Sequence, residues 1–257
     1  MPDHRPLVLI PSYNTGPILR QTLDAVLRAN VPVWVVFDGS TDGSPELIKD
    51  LSSPHLKVLS LEKNSGKGSA VLYGLKAAMT EGFTHVLSMD ADGQHPAEKI
   101  REFFAISAEF PQAAIFGRPV FDSSAPALRV NGRKISNFWA NLETLGWGID
   151  DSLFGMRLYP AADLLAVMES TQFARRFDFE PEVAVRLAWR GVPIINLPTP
   201  VLYPKAEDGG ISQFRYLRDN TLLTWMHLRL MLGFALRFPY LLLRGDNPLE
   251  SENPPSR

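Results

Sequence analysis

Short β-branched and leucine runs alternate with stretches of helical spacing through the first half of the chain. Leu7 to Ile10, closed by Pro11-Ser12-Tyr13-Asn14, predicts a buried strand and a turn. Pro17 to Ala29 then places Ile18, Thr22, Ala25, Val26 and Ala29 on one helical face. Val33 to Phe37 predicts a second strand, ended by the turn formers Asp38-Gly39-Ser40-Thr41-Asp42-Gly43-Ser44 before a short helix to Leu51. Leu56 to Leu61 predicts a third. It is followed by Asn64-Ser65-Gly66-Lys67-Gly68-Ser69 and a helix with Val71, Leu75, Ala78 and Met79 on one side. The run Val86-Leu87-Ser88-Met89 leads into Asp90-Ala91-Asp92-Gly93-Gln94-His95-Pro96 and a helix carrying Ile100, Phe103, Phe104 and Ser107. Ala113 to Gly117 predicts one more strand, which delivers Arg118. Strand and helix alternating over short connections predict an α/β fold with a doubly wound, mostly parallel sheet.

The alternation then breaks. Asp122 to Asn131 reads as a loop and Lys134 to Leu145 as a helix. Gly146 to Asp151 reads as a turn before Leu153-Phe154-Gly155-Met156-Arg157-Leu158-Tyr159. Pro181 to Trp189 predicts a helix and Ile194 to Leu197 a strand. The expected organisation is one domain over residues 1–213, an amphipathic helical extension over 214–245, and a polar, disordered tail over 246–257.

Composition narrows the partners more than the fold. A net charge of −2 offers no basic face for nucleic acid, and the absence of cysteine removes disulfides, thiolate metal sites and cysteine nucleophiles. The apolar run at the N-terminus is too short for a signal-peptide core, so a cytoplasmic location is the expectation.

The chemistry concentrates in Asp90 and Asp92. Two carboxylates one residue apart at the end of an apolar strand stand at the carboxyl edge of the sheet, where open α/β sheets bind ligands. Their hard oxygens suit Mg²⁺ or Mn²⁺ shared with a substrate phosphate. Asp-x-Asp at a strand end also serves as a helix cap, so the pair alone does not decide. Lys67, in a glycine-rich turn that matches neither G-x-x-x-x-G-K-[ST] nor G-x-G-x-x-G, is either a cation beside an anionic ligand or a solvated turn lysine.

In order and spacing, Pro11-Ser12-Tyr13-Asn14, Phe37-Asp38-Gly39-Ser40-Thr41-Asp42, Asn64-Ser65-Gly66-Lys67-Gly68, Met89-Asp90-Ala91-Asp92-Gly93-Gln94-His95-Pro96 and Gly155-Met156-Arg157-Leu158-Tyr159 resemble the family 2 glycosyltransferases of GT-A, Rossmann-like fold. Within that family the chain resembles the dolichol-phosphate and polyprenol-phosphate sugar synthases. The resemblance implies a nucleoside-diphosphate sugar donor contacted by Pro11, Tyr13, Asn14, Asp38, Gly66, Lys67, Asp90 and Ala91. It also implies a Mg²⁺ or Mn²⁺ ion on Asp90, Asp92 and Gln94, and phosphate contacts from Arg118 and Arg133. It implies transfer with inversion to a lipid-linked or other membrane-associated acceptor. A hydroxyl acceptor needs a general base, for which Asp151 is the candidate, with Asp150 and Glu182 behind it, whereas a phosphate acceptor is already ionised. Asp150 and Asp151 read equally as turn residues. Two departures stand out: Phe37 occupies a position where the family commonly has an acid, and Tyr203 to Ser212 carries Glu207 and Asp208 beside Lys205, a possible phosphate ligand. The rival readings are a sugar-phosphate nucleotidyltransferase and an inactive nucleotide-sugar-binding module.

Phe214 to Leu243 is apolar but interrupted by His227, Arg229 and Arg237, with its longest uncharged run too short to span a bilayer. At roughly 100° per residue, Arg218, Arg229, Arg237 and Arg244 fall within an arc of about 100°, with Pro239 as a kink. This predicts a helix lying on the inner face of the membrane with its arginines toward anionic lipid. The alternative is packing on the sheet of this subunit or a second one, as in a homodimer.

Overall fold

The computed structural model describes residues 3–121, 127–202 and 216–252. Among these residues seven strands form one sheet in the order β3-β2-β1-β4-β6-β5-β7: β1 (Pro6–Ser12), β2 (Val33–Asp38), β3 (Leu56–Leu61), β4 (His85–Ser88), β5 (Ala114–Val120), β6 (Arg157–Pro160) and β7 (Ile194–Pro200). Neighbours pair in parallel except β6, which runs antiparallel to both β4 and β5. Along β1, Leu7 and Leu9 enter one core and Val8 and Ile10 the other. The strand is covered on both faces and therefore reads as a continuous apolar run rather than an alternating one.

One face is covered by α1 (Pro17–Leu27) and α3 (Ile100–Glu109), whose Leu19, Leu23, Ile100 and Phe103 are buried. The other carries α2 (Lys67–Thr80), α4 (Ala127–Thr144), α5 (Ala161–Glu169), α6 (Phe179–Trp189) and α7 (Tyr216–Leu243) around a core that includes Leu75, Ala140, Leu164, Val183 and Met226.

Several boundaries differ from the sequence reading. The helix expected up to Leu51 is one 3-10 turn, Glu46–Ile48. α4 begins at Ala127, inside the segment read as a loop, and α5 carries no separate sequence signal because its apolar positions merge with the strand before it. Past α7 the chain is not free from residue 246. Asn247 is buried, donating to the Ile194 carbonyl at 2.7 Å and accepting from its N–H at 3.4 Å, and Glu250–Glu252 makes a 3-10 turn. Lys205 and its loop lie outside the described residues.

The C-terminal helix corrects the sequence reading in the direction its arginines take. At 28 residues it is about 42 Å long, and Arg218–Leu243 is long and apolar enough, by length and composition, to cross a membrane. Arg229 and Arg237, and Arg244 just past the helix end, lie against the protein rather than pointing away from it, although Arg237 keeps an exposed edge and Arg218 is exposed. Arg229 pairs with Glu182 at 3.0 Å and lies 3.5 Å over the Phe173 ring, and Arg237 stacks 4.7 Å over Trp189. Arg244 donates to the Ala188 and Thr144 carbonyls and lies 3.6 Å over Trp147. Trp225, Leu228, Leu232, Leu236 and Leu243 face outward instead, Leu236 at 85% exposure. Helical periodicity finds the two faces but cannot say which one the protein core claims. Buried Glu182 and the rings of Phe173, Trp189 and Trp147 draw the guanidinium groups inward.

Candidate active site

The strands that pair in parallel end on one edge, and the sequence-predicted loops gather there. Tyr13 and Asn14 follow β1, where Asn14 takes a φ of 48°. Its side-chain oxygen accepts the Thr41 N–H at 2.8 Å, while Asp42 accepts the Gly16 N–H at 2.9 Å, so the loops after β1 and β2 hold each other. Pro11 lies within β1 opposite Val36. Asp38 is buried with both oxygens engaged, accepting the Ser65 and Gly66 N–H groups at 2.7 Å each. Its carboxylate shapes the glycine turn that presents Lys67 at the first position of α2. Gly66 takes a φ of 98°, and a Cβ there would stand 2.3 Å from the Arg175 carbonyl oxygen, so glycine is required on both counts. Phe37 points into the core below the edge.

The acids stand at the end of β4. The Asp90 N–H donates to His95 Nδ1 at 3.0 Å, so that nitrogen is unprotonated and the ring is neutral, in keeping with burial lowering the His95 pKa to about 4. Lys67 pairs with Asp90 and with Glu180 near the start of α6. Burial opposes ionisation of Asp90, but the Lys67 ammonium beside it, with the Arg133 charge adding to it, outweighs that and holds the carboxyl below its usual range. Asp92 behaves oppositely. Burial and the Asp90 charge push its pKa up to about 6. One acid is compensated and its neighbour is short of positive charge, which is the donor chemistry a hard divalent cation completes. Among the described residues no three His, Cys, Asp or Glu side chains gather around one point. Two carboxylates are what a Mg²⁺ shared with substrate phosphates ordinarily takes. Gln94 belongs to the same loop, its N–H donating to Asp92 Oδ1 at 3.0 Å and its carbonyl accepting from the Leu202 N–H at 2.9 Å. Ala91 is buried between the acids, with its carbonyl bonded by Thr22 at 3.3 Å.

Because β6 runs antiparallel to β4, with Ser88 opposite Arg157, it brings Gly155 to the same edge. A Cβ at Gly155 would lie 2.5 Å from Asp90 Oδ2 and 2.9 Å from Lys67 Nζ. Glycine here is the space in which those two groups meet. Arg157 is fully buried and donates to the Asp151 carbonyl at 2.7 Å and the Glu180 carbonyl at 2.8 Å, joining the two sides of the site.

On the side away from the glycine turn, Arg133 of α4 donates to Asp151 Oδ1 at 2.7 Å, and the N–H groups of Leu153 and Phe154 reach the same oxygen at 2.9 and 2.6 Å. Arg118, at the end of β5, lies 3.4 Å from Asp150, whose carboxyl burial lifts above its usual range despite that arginine. Glu182 is different. It is fully buried and held by Arg229 and by Arg186 at 2.9 Å, an arrangement that locks α6 to α7 rather than offering a base. Glu180, Arg157 and His95 had no assigned role in the sequence reading. A lone arginine inside an apolar strand and an acid opening a helix were the available signals.

The glycosyl transferase family 2 profile matches residues 7–163. The chain is 28% identical over 205 residues to the polyprenol monophosphomannose synthase of Mycolicibacterium smegmatis, covering 77% of each. It is 26% identical over 211 residues to the undecaprenyl-phosphate mannosyltransferase of Micrococcus luteus, covering 76% of this chain and 82% of that one. Among solved structures it is similar to glucosyl-3-phosphoglycerate synthase from Mycobacterium tuberculosis in complex with Mn²⁺, UDP-glucose and glycerol 3-phosphate, at a TM-score of 0.63 and 16% identity over 90% of this chain and 80% of that one. It is also similar to S. aureus TarS 1-349 in complex with UDP-GlcNAc, at a TM-score of 0.59 and 18% identity over 89% and 66%. At these identities the likeness is one of fold, the GT-A arrangement of sheet and helices.

Proposed function

Since the chain belongs to glycosyl transferase family 2, we propose that it moves a sugar, with inversion, from a nucleoside diphosphate to a polyprenyl phosphate at the cytoplasmic face of a membrane, using Mg²⁺ or Mn²⁺ held by Asp90, Asp92 and Gln94. The observation that supports this best is the unequal acid pair at the end of β4, with Lys67 on Asp90 and the Arg133 charge reaching it. Family membership decides against a sugar-phosphate nucleotidyltransferase. The names of the two relatives favour a polyprenyl phosphate acceptor.

In this reading Pro11, Tyr13 and Asn14 wall the nucleoside pocket, with Asp38 shaping it through Gly66. The donor diphosphate lies over Ala91 toward Lys67, Arg118 and Arg133. A bound divalent ion supplies positive charge to the leaving diphosphate oxygen. Lys67 and the arginines add fixed charge where negative charge develops, in a pocket that needs no reorganisation at the moment of reaction. The acceptor side argues for phosphate. Asp151, the leading candidate base, has one oxygen committed to three donors, and an ionised phosphate needs no base.

The outward apolar face of α7 and the exposed Ile135 and Phe138 of α4 support a membrane surface beside the site, since α4 also carries Arg133. The test offers polyprenyl phosphate and free polyprenol, with Mn²⁺ and labelled UDP- and GDP-sugars. Label should enter the phosphate lipid alone and be lost in Asp92→Asn. Glycosylation of the free alcohol, or undiminished transfer in the variant, would overturn the assignment.

A further inference from the structure

Lys67 occupies an oxygen of Asp90, the carboxylate that the proposed metal needs. Two cations cannot share one carboxylate oxygen in a buried setting, where like charges repel strongly. Lys67 is also already in contact with a second anion, Glu180, whose side chain is only 7% exposed and which sits in the first turn of α6, where a helix favours negative charge. Gly155 leaves open the space in which Asp90 and Lys67 approach each other.

We propose that Lys67 is a resident counter-ion of Asp90 that yields to the divalent ion, and that Glu180 is the positioning residue that receives it. The inference rests on the metal reading of Asp90 and Asp92. Before the ion arrives, Lys67 prevents repulsion between the two acids from opening the loop. When the ion takes Asp90, Lys67 keeps its pairing with Glu180 and its ammonium is freed toward the donor diphosphate. A buried Glu180 without a cation would be costly, so Lys67 is retained rather than expelled to solvent. The site thereby exchanges one cation for another without leaving either acid uncompensated.

The test is Mn²⁺ binding followed by electron paramagnetic resonance of the free ion, with Mn²⁺ alone and again with UDP or GDP. Lys67→Met removes the competing cation and should tighten binding of Mn²⁺ alone by about fivefold or more, the usual size of coupling between linked sites. Glu180→Gln leaves Lys67 only Asp90 to hold and should weaken Mn²⁺ binding by a similar factor. In the double variant, which removes the pair as a neutral unit and guards against misfolding of the single ones, the effect of Glu180→Gln should vanish. Circular dichroism confirms that each variant is folded. Unchanged or weaker Mn²⁺ binding by folded Lys67→Met, or a Glu180→Gln effect that persists in the double variant, would overturn the exchange while leaving the metal site standing. Absence of saturable binding to the unaltered protein in every arm would overturn the metal reading and this inference with it.

Discussion

Arg229 of α7 reaches across to α6 and places Nη1 and Nη2 at 3.2 and 3.0 Å from the two oxygens of Glu182, a carboxylate with no exposure to solvent. Pairs of this kind contribute little over an apolar replacement but are costly to break on one side. Arg229→Ala should lower stability by about 3 kcal/mol, since Arg186 remains as the other partner. Arg229→Met with Glu182→Leu should recover much of it. Urea midpoints measure both, and a neutral Arg229→Ala would show that α7 is not held by this pair.

Gly155→Ala tests how closely the site is packed. The added methyl lies within contact distance of both Asp90 and Lys67, and neither neighbour can move without breaking their pairing. Transfer should fall by roughly 10² or more, comparable to loss of a transition-state charge contact. The melting temperature should change far less than for a core substitution, because the site is at the sheet edge.

The acid limb of stability should depend on His4 and His85, whose rings lie 4.6 Å apart at the opposite end of the sheet. His85 is held between Thr84 Oγ1 and the Pro111 carbonyl, each at 2.9 Å. Burial lowers both imidazole pKa values below 6.5, and for His4 the nearby His85 charge adds to it. The unfolded chain therefore takes up protons first. The stability these rings contribute is fully present above pH 6.5 and is lost as pH falls through their folded-state values. Urea midpoints measured from pH 7.5 downward, by about half a unit at a time, should fall less steeply in His85→Gln than in the unaltered protein. Parallel slopes would show that other groups set the acid limb.

What the sequence disclosed follows from how each signal arises. β1, β2 and β4 are doubly covered and bounded by turn residues, so their runs predict them to within a residue or two, whereas the half-exposed edge strand β3 is fixed by its flanking turns and β5 runs on past its predicted end to Val120. Asp90, Asp92 and Lys67 are brought together by chain order alone, since parallel strands deliver their following loops to one edge. The antiparallel insertion of β6 was not legible, because strand direction is set by partners far along the chain. Glu180 shows the same limit. It lies 113 positions beyond Lys67 and reaches it only because Arg157 and α6 pack under the site. For Glu182, residue type suggested a base, and only its two arginine partners reveal a structural role.

The last prediction concerns how the protein meets a membrane. Had the arginines of α7 faced outward, binding would be electrostatic and salt would release it. Arg229, Arg237 and Arg244 are instead held by Glu182, Phe173, Trp189 and Trp147, which leaves Arg218 as the exposed member of the stripe, and the surface offered is Trp225, Leu228, Leu232, Leu236 and Leu243. Burying such side chains in the interface is worth about 1.5 to 3 kcal/mol each when complete. Salt screens charge but not apolar burial. Binding to vesicles of phosphatidylcholine alone should therefore persist at high salt, with little gain from added phosphatidylglycerol. Leu232→Glu with Leu236→Glu should release the protein while preserving its circular dichroism, because both side chains are exposed before binding. A size-exclusion shift to half the apparent mass in that variant, with no binding of the unaltered protein to vesicles, would mean that the apolar face is covered by a second copy of the chain instead. Salt-sensitive binding that requires phosphatidylglycerol would restore the electrostatic account and place the docking surface elsewhere than on this face.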